Sequence, residues 1–363
     1  MRITQLDGFR TIAVLGVLWA HNWMFLGTPA MNVFGIDISG IFSGLATGVD
    51  LFFVISGFCM YLMYISKQQS FNLDVYINYL GKRFVRIAPA FYAAILVYAI
   101  VDAGFQMQQI DWQYIFLSAA FVRTFFSIKT AFAPHFWSLA TEWQFYLVLP
   151  IMIGIGKKIN FKKMIFLFVC IAFVFRAIVW IQNEDVNNII NYSLPNRIIE
   201  FINGIVIAKL YLSNKKRWFT HSSFMIVVGV AIAFAGRILM SAYFQDRQDI
   251  IGYISRVINI PVLTAGYAII VINTLNSKSI FSRFMGSTLM SFLGKYSYSM
   301  YLWHWLIAEY VSKLFMNYFQ GNKVPTLLFS YIVSILILIP ISMLSYYLFE
   351  SFYFKKKHFV ISS

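Results

Sequence analysis

Long apolar runs broken by short polar stretches repeat from one end of the chain to the other, and each run is about 18 residues or longer. A helix rises about 1.5 Å per residue, so each run can cross a hydrocarbon core of about 30 Å. Strands that span a bilayer read instead as shorter segments of alternating polarity, a pattern absent from this sequence. The pattern predicts about ten transmembrane helices, over 9–26, 41–65, 84–101, 134–156, 162–182, 196–212, 222–244, 254–274, 288–316 and 325–353. The expected fold class is all-α, a polytopic integral membrane protein with one transmembrane domain over 1–354 and a short basic cytosolic tail over 355–363. An apolar piece in the longest connection, Trp112 to Ser127, is expected to lie at the interface or re-enter. If it spanned, the orientation of everything after it would invert.

Composition agrees with this picture. Of 363 residues, 60% are hydrophobic and 12% charged, against about a quarter charged in a soluble domain. The formal charge of +15 does not signal nucleic acid, because the basic residues fall in short loops between apolar runs. Placing both termini in the cytosol puts Lys82, Arg83, Arg86, Lys157, Lys158, Lys162, Lys163 and Lys355 to Lys357 inside, and leaves few cations, among them Arg123 and Arg197, in or beside the outer loops. The first span lacks a clear signal-peptidase site and is expected to be retained. Cys59 and Cys170 lie in apolar spans and read as small buried hydrophobes, so no disulfide or metal is expected. Gly48, Gly57, Gly204 and Gly294 read as sites of close helix contact.

Ionisable residues inside hydrocarbon are costly, which makes each a candidate for a site or a buried pair. Arg10 and His21 are eleven residues apart, close to three full turns, so they share one face of the first helix about 16 Å apart. Asp7 lies on the same stripe and can pair with Arg10 at i, i+3. Counted from the ends of their spans, His21, Asp50, Glu142, His304, Arg176 and Arg237 fall at a broadly similar depth in the outer half, and a shared polar cavity is the economical expectation. Structural readings stand beside the functional ones. Arg10 also suits snorkelling to the headgroups, His21 an interhelical hydrogen bond, and Asp50 and Glu142 the role of counter-ions to Arg176 and Arg237.

A neutral imidazole can take a proton from a hydroxyl and return it to a leaving group, and a nearby carboxylate can orient it. That chemistry suits acyl transfer to an alcohol. Arg10 with Lys82, Arg83 and Arg86 at a cytosolic mouth suits a phosphorylated donor, although such cations are also ordinary positive-inside charge. No Walker loop, dinucleotide fingerprint or HExxH is present.

Several blocks resemble the acyltransferase 3 family of integral membrane acyltransferases. They are LDGFRTIAVLGVLWAH (6–21), GVDLFFVISGF (48–58), KRFVRIAPAFY (82–92), WSLATEWQFYLVLP (137–150) and YSYSMYLWHW (296–305). The resemblance, which runs from residue 6 to about residue 350, implies transfer of an acyl group, usually acetyl from acetyl-CoA, to a hydroxyl of a cell-surface or lipid-linked carbohydrate. It implies a bacterial cytoplasmic (inner) membrane, acyl-CoA on the cytosolic side as donor substrate, no bound cofactor or metal, and contact with membrane lipid. By motif, His21 becomes the catalytic histidine, Arg10 its partner, and Arg83 and Arg86, with Lys82 beside them, the donor site. Glu142 is a further catalytic carry-over, and Asp50, His304, Trp137 and Arg176 form an acceptor-side or supporting group. Some relatives carry a second, secreted hydrolase-like domain; here direct transfer, or a separate periplasmic or extracellular partner, is the expectation. A transporter or flippase is the rival reading, since intramembrane charges also mark substrate pathways.

Overall fold

A computed structural model describes residues 3–30, 32–33, 36–37, 39–65, 72–104, 111–126, 132–179, 192–213, 222–319 and 323–352. The basic tail over 355–363 lies outside them, as do Lys129 and the 214–217 loop cations. Helices make up nearly all regular structure among the described residues, apart from two two-residue strands, Asn32–Val33 and Ile36–Asp37, paired antiparallel. The principal helices are α1 (Thr4–Phe25), α2 (Gly48–Ile65), α3 (Leu73–Gly104), α4 (Trp112–Ala119), α5 (Trp137–Ile159), α6 (Phe161–Val179), α7 (Leu194–Leu212), α8 (Ser222–Leu239), α9 (Ile250–Leu275), α10 (Thr288–Lys295), α11 (Ser297–Tyr318) and α12 (Lys323–Ser345).

By length and composition alone, five helical stretches among the described residues can cross a membrane: Gly44–Met63, Leu73–Gly104, Pro134–Ile159, Ile250–Leu275 and Lys323–Glu350. The chain is an all-helical integral membrane protein, with five such stretches where the apolar runs predict ten. Every predicted run contains helix among the described residues, but 41–65 and 222–244 each hold more than one helical piece, and two further runs and the apolar connecting piece differ in a telling way. The third helix extends to 32 residues and starts at Leu73, about three turns before the predicted start at 84, so that Lys82 and Arg83 are helical too. The predicted span 288–316 is two helices. Tyr296 caps both, with ψ of 3°, and its N–H returns to the Leu293 carbonyl at 3.0 Å. The apolar piece from Trp112 is an eight-residue helix of about 12 Å followed by a single 3₁₀ turn, Arg123–Phe125, too short to span. Arg123 beyond it is fully buried and donates to the Ala133 carbonyl at 2.9 Å and the Ser118 hydroxyl at 3.3 Å, and burial pulls its pKa down to about 10.

The chain divides into two compact units: Met1–Val49 with Lys82–Asp111 and Met285–Ser363, and Asp50–Gly81 with Trp112–Phe284. In the first unit α1 packs on α10, α11 and α12, and α11 packs on α12. Backbones come close there. A Cβ on Gly294 would sit 2.1 Å from the Asp7 carbonyl oxygen, so only hydrogen fits between α10 and α1. Gly48 meets the Ala13 carbonyl in the same way. In the second unit α9 packs on α7 and α8, and α6 packs on α5 and α7. Gly204 of α7 and Gly57 of α2 face each other's helices, their added Cβ atoms landing 2.0 Å from the Val54 oxygen and 2.2 Å from the Phe201 oxygen. All four glycines thus stand where helices touch. Cys59 and Cys170 are half-buried thiols outside any disulfide.

Arg176 of α6 explains how α9 tolerates Pro261. A proline inside a helix supplies no N–H to the carbonyl four residues back, here Val257. Arg176 Nε donates to that carbonyl at 2.6 Å. Ile260 N–H turns to Asn259 Oδ1 at 2.6 Å, and Arg176 Nη2 takes up the Arg256 carbonyl at 2.6 Å and Asn259 Oδ1 at 2.7 Å. Nη1 reaches Asn196 Oδ1 at 2.8 Å on α7. One guanidinium therefore satisfies the carbonyls that the proline turn leaves open and joins α6, α7 and α9.

Arg176→Met is expected to destabilise the protein by about 2–4 kcal/mol through stranded carbonyls, read as loss of soluble protein on heating in detergent. Adding Pro261→Ala should recover part of that loss; a double variant no better than the single one contradicts the assignment. Gly294→Ala should likewise cost about 1–3 kcal/mol, while Gly81→Ala, on an exposed face of α3 with nothing within 4 Å, should be neutral or slightly stabilising in the same heating assay.

Candidate functional site

Arg10 and Asp7 on α1 form the ion pair their spacing predicts, Nη1 to Oδ1 at 2.9 Å. His21, about three turns on, is half-buried, and its Nδ1 lies 2.8 Å from Nε2 of His304 on α11. His304 is fully buried, and its Nδ1 lies 2.6 Å from the Tyr301 carbonyl oxygen. The Trp305 ring meets His21 edge-on, centroids 4.7 Å apart. The depth reckoning that puts His21 and His304 at one level is met by direct contact. Neighbouring bonds fix the frame. Asn22 Oδ1 accepts from Ser312 at 3.0 Å and Ser334 at 3.4 Å, tying α1 to α11 and α12. The Tyr98 hydroxyl on α3 donates to the Leu302 carbonyl at 3.1 Å and accepts from Leu306 N–H at 3.2 Å, one bond on each side of His304.

Lys82, Arg83 and Arg86 lie on α3 in the same unit. Arg83 is buried, Arg86 half-buried and Lys82 exposed. Tyr298 on α11 donates to the Ile87 carbonyl at 2.9 Å, so the arginine turn is fastened to the helix that carries His304. Glu350, missed in the sequence, belongs with them. It closes a π-helical turn, Tyr346–Glu350, is buried, accepts the Ser299 hydroxyl at 2.5 Å, and feels the charge of Arg86. π-turns of this kind concentrate at functional sites. A lone acid inside the last apolar run was the available signal.

The second unit assembles its own polar groups. The expectation that Asp50 and Glu142 serve as counter-ions to Arg176 and Arg237 is corrected by their actual partners. Asp50 pairs with Arg197, Nη1 to Oδ1 at 2.9 Å, and the same nitrogen reaches Glu200 Oε1 at 3.1 Å. Arg197, which the charge pattern sets beside an outer loop, lies in the first turn of α7, buried, with Trp137 under its guanidinium at 5.0 Å. Asp50 and Trp137 are therefore brought together through a residue the sequence did not single out. The Arg197 and Glu200 pair at i, i+3 opening an apolar run was the cue. Glu142 is half-buried and accepts two hydroxyls on Oε1, Ser56 at 2.7 Å and Tyr146 at 2.5 Å, while Oε2 has no hydrogen-bond partner among the described residues. Arg176 spends Nε and Nη2 on the acceptors around Pro261 and Nη1 on Asn196 of α7.

No group of three or more histidine, cysteine or acidic side chains that could hold a metal occurs among the described residues. What the first unit offers is an imidazole, that of His21, with one nitrogen engaged and the other unpartnered among the described residues, in the same unit as an arginine turn. That arrangement can move a proton to and from a hydroxyl.

Comparison with known proteins follows the same direction. The chain is 24% identical to the O-acetyltransferase OatA of Staphylococcus aureus strain NCTC 8325 / PS 47, over 95% of this chain and 56% of that protein. OatA of strain COL gives the same figures. The chain thus spans little more than half the length of these relatives. No solved structure matches it. A family profile described as an acyltransferase domain matches residues 3–347, nearly the whole chain. The chain belongs to the acyltransferase 3 family.

Proposed function

We propose that this protein is a membrane O-acetyltransferase of a bacterial cytoplasmic membrane, moving acetyl from acetyl-CoA on the cytosolic side to a hydroxyl of a cell-surface or lipid-linked carbohydrate. The observation that carries this reading is His21. It is the ionisable side chain of α1 that faces a neutral partner, and it keeps a ring nitrogen unengaged among the described residues. Membership of the family and likeness to two proteins named O-acetyltransferases support the reaction class.

In this reading the acceptor O–H gives its proton to His21 as its oxygen attacks the thioester carbonyl carbon. The tetrahedral intermediate collapses, the C–S bond breaks, and His21 returns the proton to the departing CoA sulfur. Arg83 and Arg86, with Lys82 at the exposed edge, bind the donor's phosphates, for which bidentate guanidinium donors are well suited. Arg10 with Asp7 supports the same face of α1.

No observation among the described residues favours the transporter alternative. Membranes supplied with acetyl-labelled acetyl-CoA separate the two readings, because only the enzyme releases CoA and leaves label on glycan. His21→Ala should abolish label transfer while the protein still accumulates in the membrane; near-parental transfer would refute the general-base role. Arg83→Ala should raise the donor KM by on the order of tenfold or more with kcat at saturation retained, the scale of a lost charge-assisted hydrogen bond. An unchanged donor KM removes Arg83 from the donor site.

A further inference from the structure

Two hydrogen bonds in series run from His21 into the backbone of α11, and together they fix where the protons are. A carbonyl oxygen can only accept, so the 2.6 Å contact between His304 Nδ1 and the Tyr301 oxygen places a proton on that nitrogen. His304 is fully buried, where a charged ring is costly, and a neutral imidazole carries one N–H. Its Nε2 therefore holds a lone pair. That lone pair faces His21 Nδ1 at 2.8 Å, so the proton in this bond belongs to His21. His21 in turn keeps its own lone pair on Nε2, which has no hydrogen-bond partner among the described residues.

The ring geometry agrees. The nitrogens are 2.8 Å apart while the centroids are 4.9 Å apart with planes at 23°. Rings that meet so closely through their nitrogens yet stay far apart at their centres lie side by side, the arrangement that points an N–H along the line between nitrogens.

A purely structural reading would make the pair a strap between α1 and α11. That task is already served by Asn22 with Ser312, and α1 is further held by Thr11 to the Met290 carbonyl at 2.7 Å and by Tyr331 to the Leu15 carbonyl at 3.2 Å. The geometry points to His304 as a positioning residue for acyl transfer: it holds His21 in the Nδ1–H tautomer and so presents Nε2 as the atom that accepts the acceptor's proton. The assignment rests on His21 acting as the base. His304 does not touch either substrate in this scheme. It acts by selecting which nitrogen of His21 is basic, as the second hydrogen bond of a histidine generally does.

The test uses full-length protein in native membranes with acetyl-labelled acetyl-CoA as probe. His304→Leu fills a similar volume without an acceptor; His304→Gln returns an amide oxygen near the position of Nε2. Losing the tautomer-setting partner of a Ser–His–Asp triad costs about 10⁴ in kcat, and a neutral partner should matter less. His304→Leu is expected to lower kcat by about 10² or more with the donor KM within about threefold of the parent, and His304→Gln to recover at least about a tenth of the parental rate. Parental activity in His304→Leu, equal loss in both variants at normal membrane levels, or disappearance of both from the membrane would each overturn the assignment. His21→Ala, run alongside, keeps the two ideas apart. If it stays active, the general-base reading fails; if it is dead while His304→Leu is unimpaired, only the positioning role falls.

Discussion

Hydrocarbon offers a bare polar group nothing to bond to, and in this protein the side chains of the spans answer that cost among themselves. Arg176 is the fullest case. A guanidinium buried on α6 would be prohibitive alone, yet the break that Pro261 makes in α9 leaves carbonyls that need donors, and the two deficits cancel. Arg197 sits between Asp50 and Glu200 for the same reason, as does Arg10 beside Asp7. Charge is tolerated wherever geometry supplies an opposite charge or a set of carbonyls. The polar atoms left open then carry information, and His21 Nε2 and Glu142 Oε2 are two of them.

Close packing makes those pairings reachable. A hydrogen bond across two helices requires backbones nearer than ordinary side chains permit, and the small residues set that distance. Gly294 against Asp7 brings α10 onto α1 just beside the Arg10 pair. Gly57 and Gly204 bring α2 onto α7, the helices that carry Asp50 and Arg197. Thr11 uses the same proximity to reach a carbonyl of α10. The glycines and the ion pairs are parts of one solution, in which contact distance is set first and electrostatics comes second.

How much of this was legible in the sequence depends on the range of the interaction. The Asp7 and Arg10 pair, the shared face with His21 and the helical runs are local, governed by periods of a few residues, and the chain states them directly. The glycine contacts were legible as a residue type, though their partners were not. Level matching brought His21 and His304 to the same depth because the bilayer makes depth a coordinate shared by every span. Pairing across helices has no such local sign. Asp50 had several cations within its range of depth, and only the packing of α2 on α7 selects Arg197. Tyr296 shows a second limit: the run from 288 to 316 reads as one span by length, and the Gly294, Lys295 and Ser297 cluster where one helix becomes two is too short to separate it.

The choice of a histidine as the partner of a histidine arises from the same constraint. A carboxylate would orient His21 more strongly and would stabilise its charged form, but in these surroundings it brings a charge that needs its own answer. Asp50 requires Arg197, and Glu142 takes two hydroxyls on one oxygen. His304 avoids that demand. It is neutral, its direction is set by the Tyr301 carbonyl one turn back, and Tyr98 steadies the same stretch of backbone from α3. Orientation is obtained without introducing a second charge, which leaves His21 as the one group in the relay that changes charge when a proton moves. In the scheme proposed above, that economy confines the electrostatic change, in a site of low dielectric, to the ring that accepts the proton.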